Sequence, residues 1–120
     1  MEKRVLGRTG LEVSALGFGC GAVGGLMVRG TPADQERAVA RALELGVNFF
    51  DTAPMYGDGR SEQNLGRVLK LLRPQAVIAT KVWLGHAERR RIGEAIGQSL
   101  EASLRRLGRD RKSTRLNSSH

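Results

Sequence analysis

Three short apolar runs recur along the chain, and a helical pattern follows each of them. The runs are centred near Leu16, Phe49 and Ile78, about 30 residues apart, which is the length of one strand-helix-strand unit. Buried parallel strands have this appearance because both of their faces are covered. The alternation predicts an α/β fold with a parallel sheet and right-handed crossovers.

The helical segments carry local signals at their ends. The first should begin after Thr31, a residue type that caps helices, and stop at Gly46. The second should run from about Ser61 to just before Pro74, and the third from about 88 to 107. The glycine-rich stretch before Thr31 is expected to be a flexible loop.

The second and third apolar runs each end beside a charged residue. Asp51 follows the run 47–50, Lys81 follows the run 76–80, and Tyr56 lies in the loop after Asp51. The carboxyl ends of parallel strands meet at one edge of a sheet, and in a β/α barrel that edge carries the chemistry. The sequence therefore predicts a single site that contains Asp51, Tyr56 and Lys81.

These residues lie within longer segments that resemble the aldo-keto reductase family. The likeness includes the hairpin and first strand in 4–19, the helix-to-strand passage in 42–53, the site motif in 51–66 with 80–81, and the end of the third helix in 99–108. It extends over about residues 3–110 and is to the bacterial branch that also resembles potassium-channel β subunits. It implies an N-terminal hairpin plus the first three βα units of a TIM (β/α)8 barrel, truncated, because a whole barrel needs about 250 residues.

The resemblance also implies a reaction, the NADPH-dependent reduction of an aldehyde or ketone to an alcohol. Tyr56 is expected to be the general acid that protonates the carbonyl oxygen. A free Tyr has a pKa near 10, which is too high for easy proton donation at neutral pH. A nearby ammonium favours the phenolate, and this is the role implied for Lys81, with Asp51 paired to it.

Further contacts follow from the same resemblance. Gly21 and Ala22, together with Asp51, are expected near the nicotinamide of NADPH, and Trp83 is expected either to line the substrate mouth or simply to pack. A fourth site residue, a His, is expected near position 118. His120 does not lie in an apolar strand, so we do not give it that role, and we assign no metal site.

The end of the chain departs from the family pattern. Residues 111–120 contain one apolar residue, Leu116, where an apolar fourth strand is expected. We therefore predict that 1–110 is the N-terminal part of a barrel and that 111–120 is a foreign, vector- or adapter-like tail. Three bases of this tail contribute to the net charge of +8. The other bases alternate with acids on predicted helices, and only five residues are aromatic, so we expect a solvated surface and a small-molecule carbonyl partner rather than nucleic acid.

The cysteine content and one uncharged run bear on the cellular location of the protein. A single cysteine, Cys20, excludes an internal disulfide framework. The uncharged run 13–28 is shorter than the ~20 apolar residues of a membrane span and is interrupted by glycines. We expect a cytoplasmic protein without a membrane partner, and the sequence leaves its oligomeric state open.

Residues 19–24 fit the dinucleotide-binding pattern GxGxxG. That site needs a helix that opens at the glycines, whereas the first predicted helix starts at Pro32, so a dinucleotide-binding fragment of this kind is the less favoured alternative. A non-catalytic, channel-associated or regulatory subunit is the main alternative to an enzyme.

The chain by itself is expected to be inactive and poorly folded. Phe49 and Ile78, both placed on the inner face, would lose the strands that cover them.

Overall fold

Two small sheets and four helices make up the part of the chain that the computed structural model describes, residues 1–85 and 91–109. A hairpin is formed by β1 (Lys3–Val5) and β2 (Glu12–Ser14). The elements that follow are β3 (Phe18–Gly19), α1 (Leu26–Arg29), α2 (Pro32–Glu44), β4 (Phe49–Asp51), α3 (Arg60–Leu72), β5 (Val77–Ala79) and α4 (Ile92–Leu107).

The second sheet is parallel, with its strands in the order β3-β4-β5. Phe50 at the centre of β4 lies opposite Phe18 on one side and Ile78 on the other. Each crossover therefore connects neighbouring strands, as the alternation of strands and helices predicts. The predicted α/β fold with a parallel sheet is confirmed.

The first parallel strand is displaced from its predicted centre at Leu16. This residue lies in a bend between β2 and β3, and its side chain is 63% exposed. The bend is closed by the Ser14 hydroxyl, which donates a hydrogen bond of 2.6 Å to the Leu16 carbonyl oxygen. The apolar run is thus divided between the end of the hairpin and the start of β3, so the prediction of its centre was wrong by about two residues.

The long helices begin and end where local signals predict. The Thr31 Oγ1 accepts a hydrogen bond of 3.2 Å from the Asp34 backbone N–H, which caps α2, and Pro32 occupies the first helical position. Gly46 follows this helix with a φ of 92°, and Gly108 closes α4 with a φ of 66°. The predicted first turn of the third helix falls partly on residues 86–90, which lie outside the described residues.

One helix was not predicted. The stretch expected to be a flexible loop contains the single turn α1, which begins directly after Gly25. Met27 and Val28 of this turn are buried, and Met27 belongs to the main hydrophobic core. Burial of these two side chains explains why the segment is helical although it lacks the length and capping side chain of an independent helix.

The core lies between the parallel sheet and helices α1, α2, α3 and α4. Phe50 is fully buried there, beside Phe18, whose ring centroid is 5.5 Å away. The core otherwise consists of Cys20, Met27, Val39, Leu65, Val68, Leu69 and Leu107. Ile78 packs against this cluster. Because Ile78 is in register with Phe50 rather than with Phe49, the expectation that Phe49 and Ile78 share the inner face was wrong.

The opposite face of the sheet carries Phe49, Val77 and Asp51. The Phe49 ring covers Gly17, where an added Cβ would stand 2.9 Å from Cδ1 of the ring. This face has no helix on it in the described ranges 1–85 and 91–109, and we refer to it as the open face. No helix among the described residues is long and apolar enough to cross a membrane.

Candidate active site

The carboxyl ends of β4 and β5 place Asp51 and Lys81 on the same face of the sheet. Asp51 is in register with Ala79, and Lys81 lies two residues beyond Ala79 along the chain. Side chains two residues apart in extended backbone point to the same side. The Lys81 Nζ accordingly lies 3.1 Å from Asp51 Oδ1 and 3.3 Å from Oδ2 on the open face.

The Lys81 ammonium makes two further contacts. It donates a hydrogen bond of 2.9 Å to the backbone carbonyl oxygen of Thr52, and it lies 5.0 Å from the centroid of the Tyr56 ring. Partial burial acts to lower the pKa of Lys81, but its interactions with Asp51 and Tyr56 outweigh that effect and raise the pKa above its ordinary value of 10.5. The lysine is therefore a permanent cation at neutral pH.

Tyr56 is placed by a tight loop between β4 and α3. The Tyr56 backbone N–H donates to the Ala53 carbonyl oxygen, and the Tyr56 carbonyl accepts from the Ser61 N–H, each at 3.2 Å. Gly57, with a φ of 61°, then turns the chain in a conformation that favours glycine. A side chain at this position would stand 2.5 Å from Cγ1 of Val28. Helix α1 thus packs against the loop that presents the phenol.

The structure brings Asp51, Tyr56 and Lys81 together, as sequence reasoning predicts for a single site. The carboxylate and the ammonium are each about half exposed, with 46% and 43% of their side-chain surfaces accessible. A small molecule can therefore reach the group from the open face. A phenol hydroxyl, a fixed cation and a carboxylate that orients the cation form a set suited to proton donation.

Comparison with known proteins decides the family. The family model described as "Aldo/keto reductase family" matches residues 15–112. The chain belongs to the aldo-keto reductase family.

Similar proteins include two curated enzymes and one solved structure. The chain is 48% identical over 81 residues to pyridoxal 4-dehydrogenase of Microbacterium luteolum, covering 68% of this chain and 24% of that protein. It is 40% identical over 113 residues to L-galactose dehydrogenase of Arabidopsis thaliana, covering 92% and 35%. A crystal structure of an aldo-keto reductase from Klebsiella pneumoniae in complex with NADPH is 33% identical, with a TM-score of 0.63 and coverage of 82% and 33%. The chain thus spans about a third or less of each of these proteins.

The other residues predicted for the site differ in their contacts and in their exposure. Gly21 lies against the phenol, since an added Cβ would stand 3.7 Å from Cζ of Tyr56. Ala22 is exposed on the same loop. Trp83 is 66% exposed. The residue near position 118, His120 and the tail 111–120 lie outside the described residues.

A buried polar network behind the site was missed by sequence reasoning. Ser61 donates to the carbonyl oxygen of Cys20 at 2.8 Å, and its hydroxyl also lies 2.8 Å from that of Thr52. Glu62 accepts a hydrogen bond of 2.9 Å from the Thr80 hydroxyl. The available signal was the pair Ser61-Glu62 at the start of a predicted helix, directly after a glycine-rich turn.

Cys20 belongs to the core behind the site rather than to its chemistry. Burial, reinforced by the negative charge of Asp51, raises the pKa of the Cys20 thiol to about 12. The thiolate is the reactive form of cysteine. At neutral pH this side chain is therefore a small apolar group.

Proposed function

We propose that the full-length protein containing this chain reduces an aldehyde or ketone to an alcohol with NADPH. The observation that carries the proposal is the position of the Lys81 ammonium, held by Asp51 at 3.1 Å and 5.0 Å from the centroid of the Tyr56 ring. Membership of the aldo-keto reductase family supports the same reaction class. The two named curated relatives act on different molecules by their names, so the proposal stops at the carbonyl group.

Each residue of the site has a proposed role. Tyr56 donates its hydroxyl proton to the carbonyl oxygen of the substrate. The Lys81 ammonium favours the phenolate that remains, because opposite charges attract across the short separation. Asp51 holds Lys81 in place through both carboxylate oxygens. NADPH, when bound, supplies the hydride for the carbonyl carbon.

The residues present fit a cofactor that approaches the phenol from the open face. Gly21 has no side chain to cover the Tyr56 ring, whereas any larger residue would place its Cβ 3.7 Å from Cζ. We propose Gly21, Ala22 and Asp51 as the residues of this chain that lie nearest the nicotinamide. Trp83, which is exposed beyond Lys81, is the proposed wall of the substrate mouth.

We further propose that the hairpin and the three strand-helix units are the first part of a (β/α)8 barrel in a cytoplasmic protein. Residues 111–120 would then be foreign to it, and residues 1–120 alone would neither bind NADPH at micromolar concentration nor turn over substrate. Genomic reads that leave this sequence after codon 110 and continue into an apolar strand with a His near position 118 would support this division. Reads that encode 111–120 would contradict it.

A turnover assay separates the enzyme from a non-catalytic, channel-associated or regulatory subunit. The full-length protein is mixed with NADPH and a panel of small aldehydes and ketones, and NADPH consumption and alcohol formation are both followed. The proposal predicts that the two proceed in equal amounts with at least one carbonyl class. Tight NADPH binding without turnover across the panel would favour the non-catalytic alternative.

A further inference from the structure

The fully buried carboxylate of Glu62 lies directly behind the active site, in the first turn of α3. Its side chain is 0% exposed, a state that acidic residues almost never adopt unless they are paired. The partner is Arg106 of α4, whose Nε and Nη2 both lie 2.7 Å from Glu62 Oε1. Replacing such a pair by apolar residues is often neutral or stabilising, so the presence of the pair is only weak evidence of a stabilising role.

The two oxygens of this carboxylate have separate partners. Arg106 contacts Oε1, which fixes the orientation of the carboxylate. The other oxygen, Oε2, accepts the hydrogen bond of 2.9 Å from the Thr80 hydroxyl. Thr80 is the residue between the end of β5 at Ala79 and Lys81. The ion pair therefore holds an acceptor against the backbone segment that carries Lys81.

Ser61 makes corresponding hydrogen bonds at the ends of the other two parallel strands, β3 and β4. Its hydroxyl contacts the carbonyl oxygen of Cys20 and the hydroxyl of Thr52, which are the residues directly after β3 and β4. Two consecutive residues of α3 thus contact the residue that follows each parallel strand in the described part of the chain. These contacts lie on the helix-facing side of the sheet, opposite the side chains of Asp51 and Lys81.

We propose that Glu62 is a positioning residue that acts on Lys81 through Thr80. The Lys81 Nζ must be close to Asp51 and to the Tyr56 ring at the same time, and its backbone lies beyond the last residue of β5. The Thr80 side chain anchors that backbone to Glu62, and Arg106 neutralises the carboxylate that serves as the anchor. This inference rests on the proposed function, because it concerns the placement of a proposed catalytic group.

The variant Thr80→Val in the full-length protein tests the inference, because it removes one hydroxyl and keeps the shape of the side chain. A displacement of about 1 Å at a reacting group can cost about 10²-fold in rate, so kcat should fall about 10- to 100-fold. KM and the Kd for NADPH should change little. Thr80→Ser, which restores the hydroxyl, should recover kcat.

Thr31→Val is the matched control. It also removes a threonine hydroxyl that makes one side-chain hydrogen bond, but it does so at the start of α2. The control should lose stability without losing kcat. Should Thr80→Val not fold, Thr80→Ala replaces it with the same expectations.

Three results would overturn the inference: unchanged kcat in Thr80→Val or Thr80→Ala, a loss of kcat that Thr80→Ser does not repair, or an equal loss in Thr31→Val. Tyr56→Phe, measured in the same series, keeps this inference distinct from the proposed function. Full activity in Tyr56→Phe would contradict the proposed function. Loss of activity in Tyr56→Phe combined with normal kcat in the Thr80 variants would contradict only the role of Glu62.

Discussion

The two faces of the parallel sheet differ in how completely the described residues bury them. On the helix-facing side, Phe50, Leu65 and Val68 are fully buried, and the polar groups of the Ser61–Glu62 pair have partners. On the open face, Asp51 and Lys81 are half exposed, and the Phe49 ring lies against Gly17. One face is covered by a buried core, and the other carries half-exposed charged side chains.

We infer from this difference that stability and the proposed chemistry depend on different faces of the sheet. The helix-facing core depends on residues from α1, α2, α3 and α4, all within the described ranges. The Asp51–Lys81 ion pair on the open face should contribute little to stability, because exposed ion pairs are worth only about 0–1 kcal/mol. Substitutions on the two faces should therefore change different measured quantities.

The largest expected effect is on the open face, in Tyr56→Phe. Removal of the hydroxyl leaves the ring in place and deletes the proton donor, which typically contributes about 10²–10⁴-fold to rate. The kcat of the full-length protein should fall by that factor, while the Kd for NADPH stays within a few-fold. A variant that retains more than about a tenth of the wild-type turnover would contradict the role of Tyr56.

A core substitution on the helix-facing side should lower the free energy of unfolding and leave activity unchanged. Leu65→Ala removes a fully buried side chain of α3 and should lower the free energy of unfolding by about 2–5 kcal/mol. Activity per folded molecule should be retained. Leu71→Ala is the matched control on the same helix, because Leu71 is exposed, and it should cost no more than about 0.5 kcal/mol. Denaturant unfolding measures both, and equal losses would break the distinction between buried and exposed positions.

A further expected effect, confined to alkaline pH, is a pH dependence of stability from Cys20. Its pKa is about 12 in the folded chain and 9.0 ordinarily, so the folded state favours the neutral thiol. This contribution is complete below pH 9 and is lost as the pH rises towards 12. The free energy of unfolding should therefore fall more steeply in this range for the wild-type protein than for Cys20→Ala. Identical slopes would show that burial of this thiol does not affect stability.

The features that the sequence predicts correctly are those with local causes. Thr31, Pro32 and Gly46 mark the ends of α2 through capping and φ preferences, which act within a few residues. The proximity of Asp51 and Lys81 could be predicted because each follows a short apolar run. Parallel strands bring such ends together whatever the details of packing.

The features that it does not predict depend on distant partners. A continuous apolar run such as 76–80 has no alternation, so it does not reveal that Ile78 faces the helices. Helix α1 exists because Met27 enters the core and Val28 packs against the turn at Gly57. Glu62 and Arg106 are 44 residues apart in the chain, and each by itself has the pattern of an exposed helical residue.

The most direct test of the central claim is Lys81→Met in the full-length protein, with turnover, NADPH affinity and melting temperature measured on the same samples. Lys70→Met is the matched control, because Lys70 is an exposed lysine of α3. The account predicts that Lys81→Met loses about 10²-fold or more in kcat, while its melting temperature changes by no more than about 4 °C and the control keeps full activity. Wild-type turnover in Lys81→Met, or a loss of turnover that follows unfolding, would contradict the assignment of the chemistry to the open face.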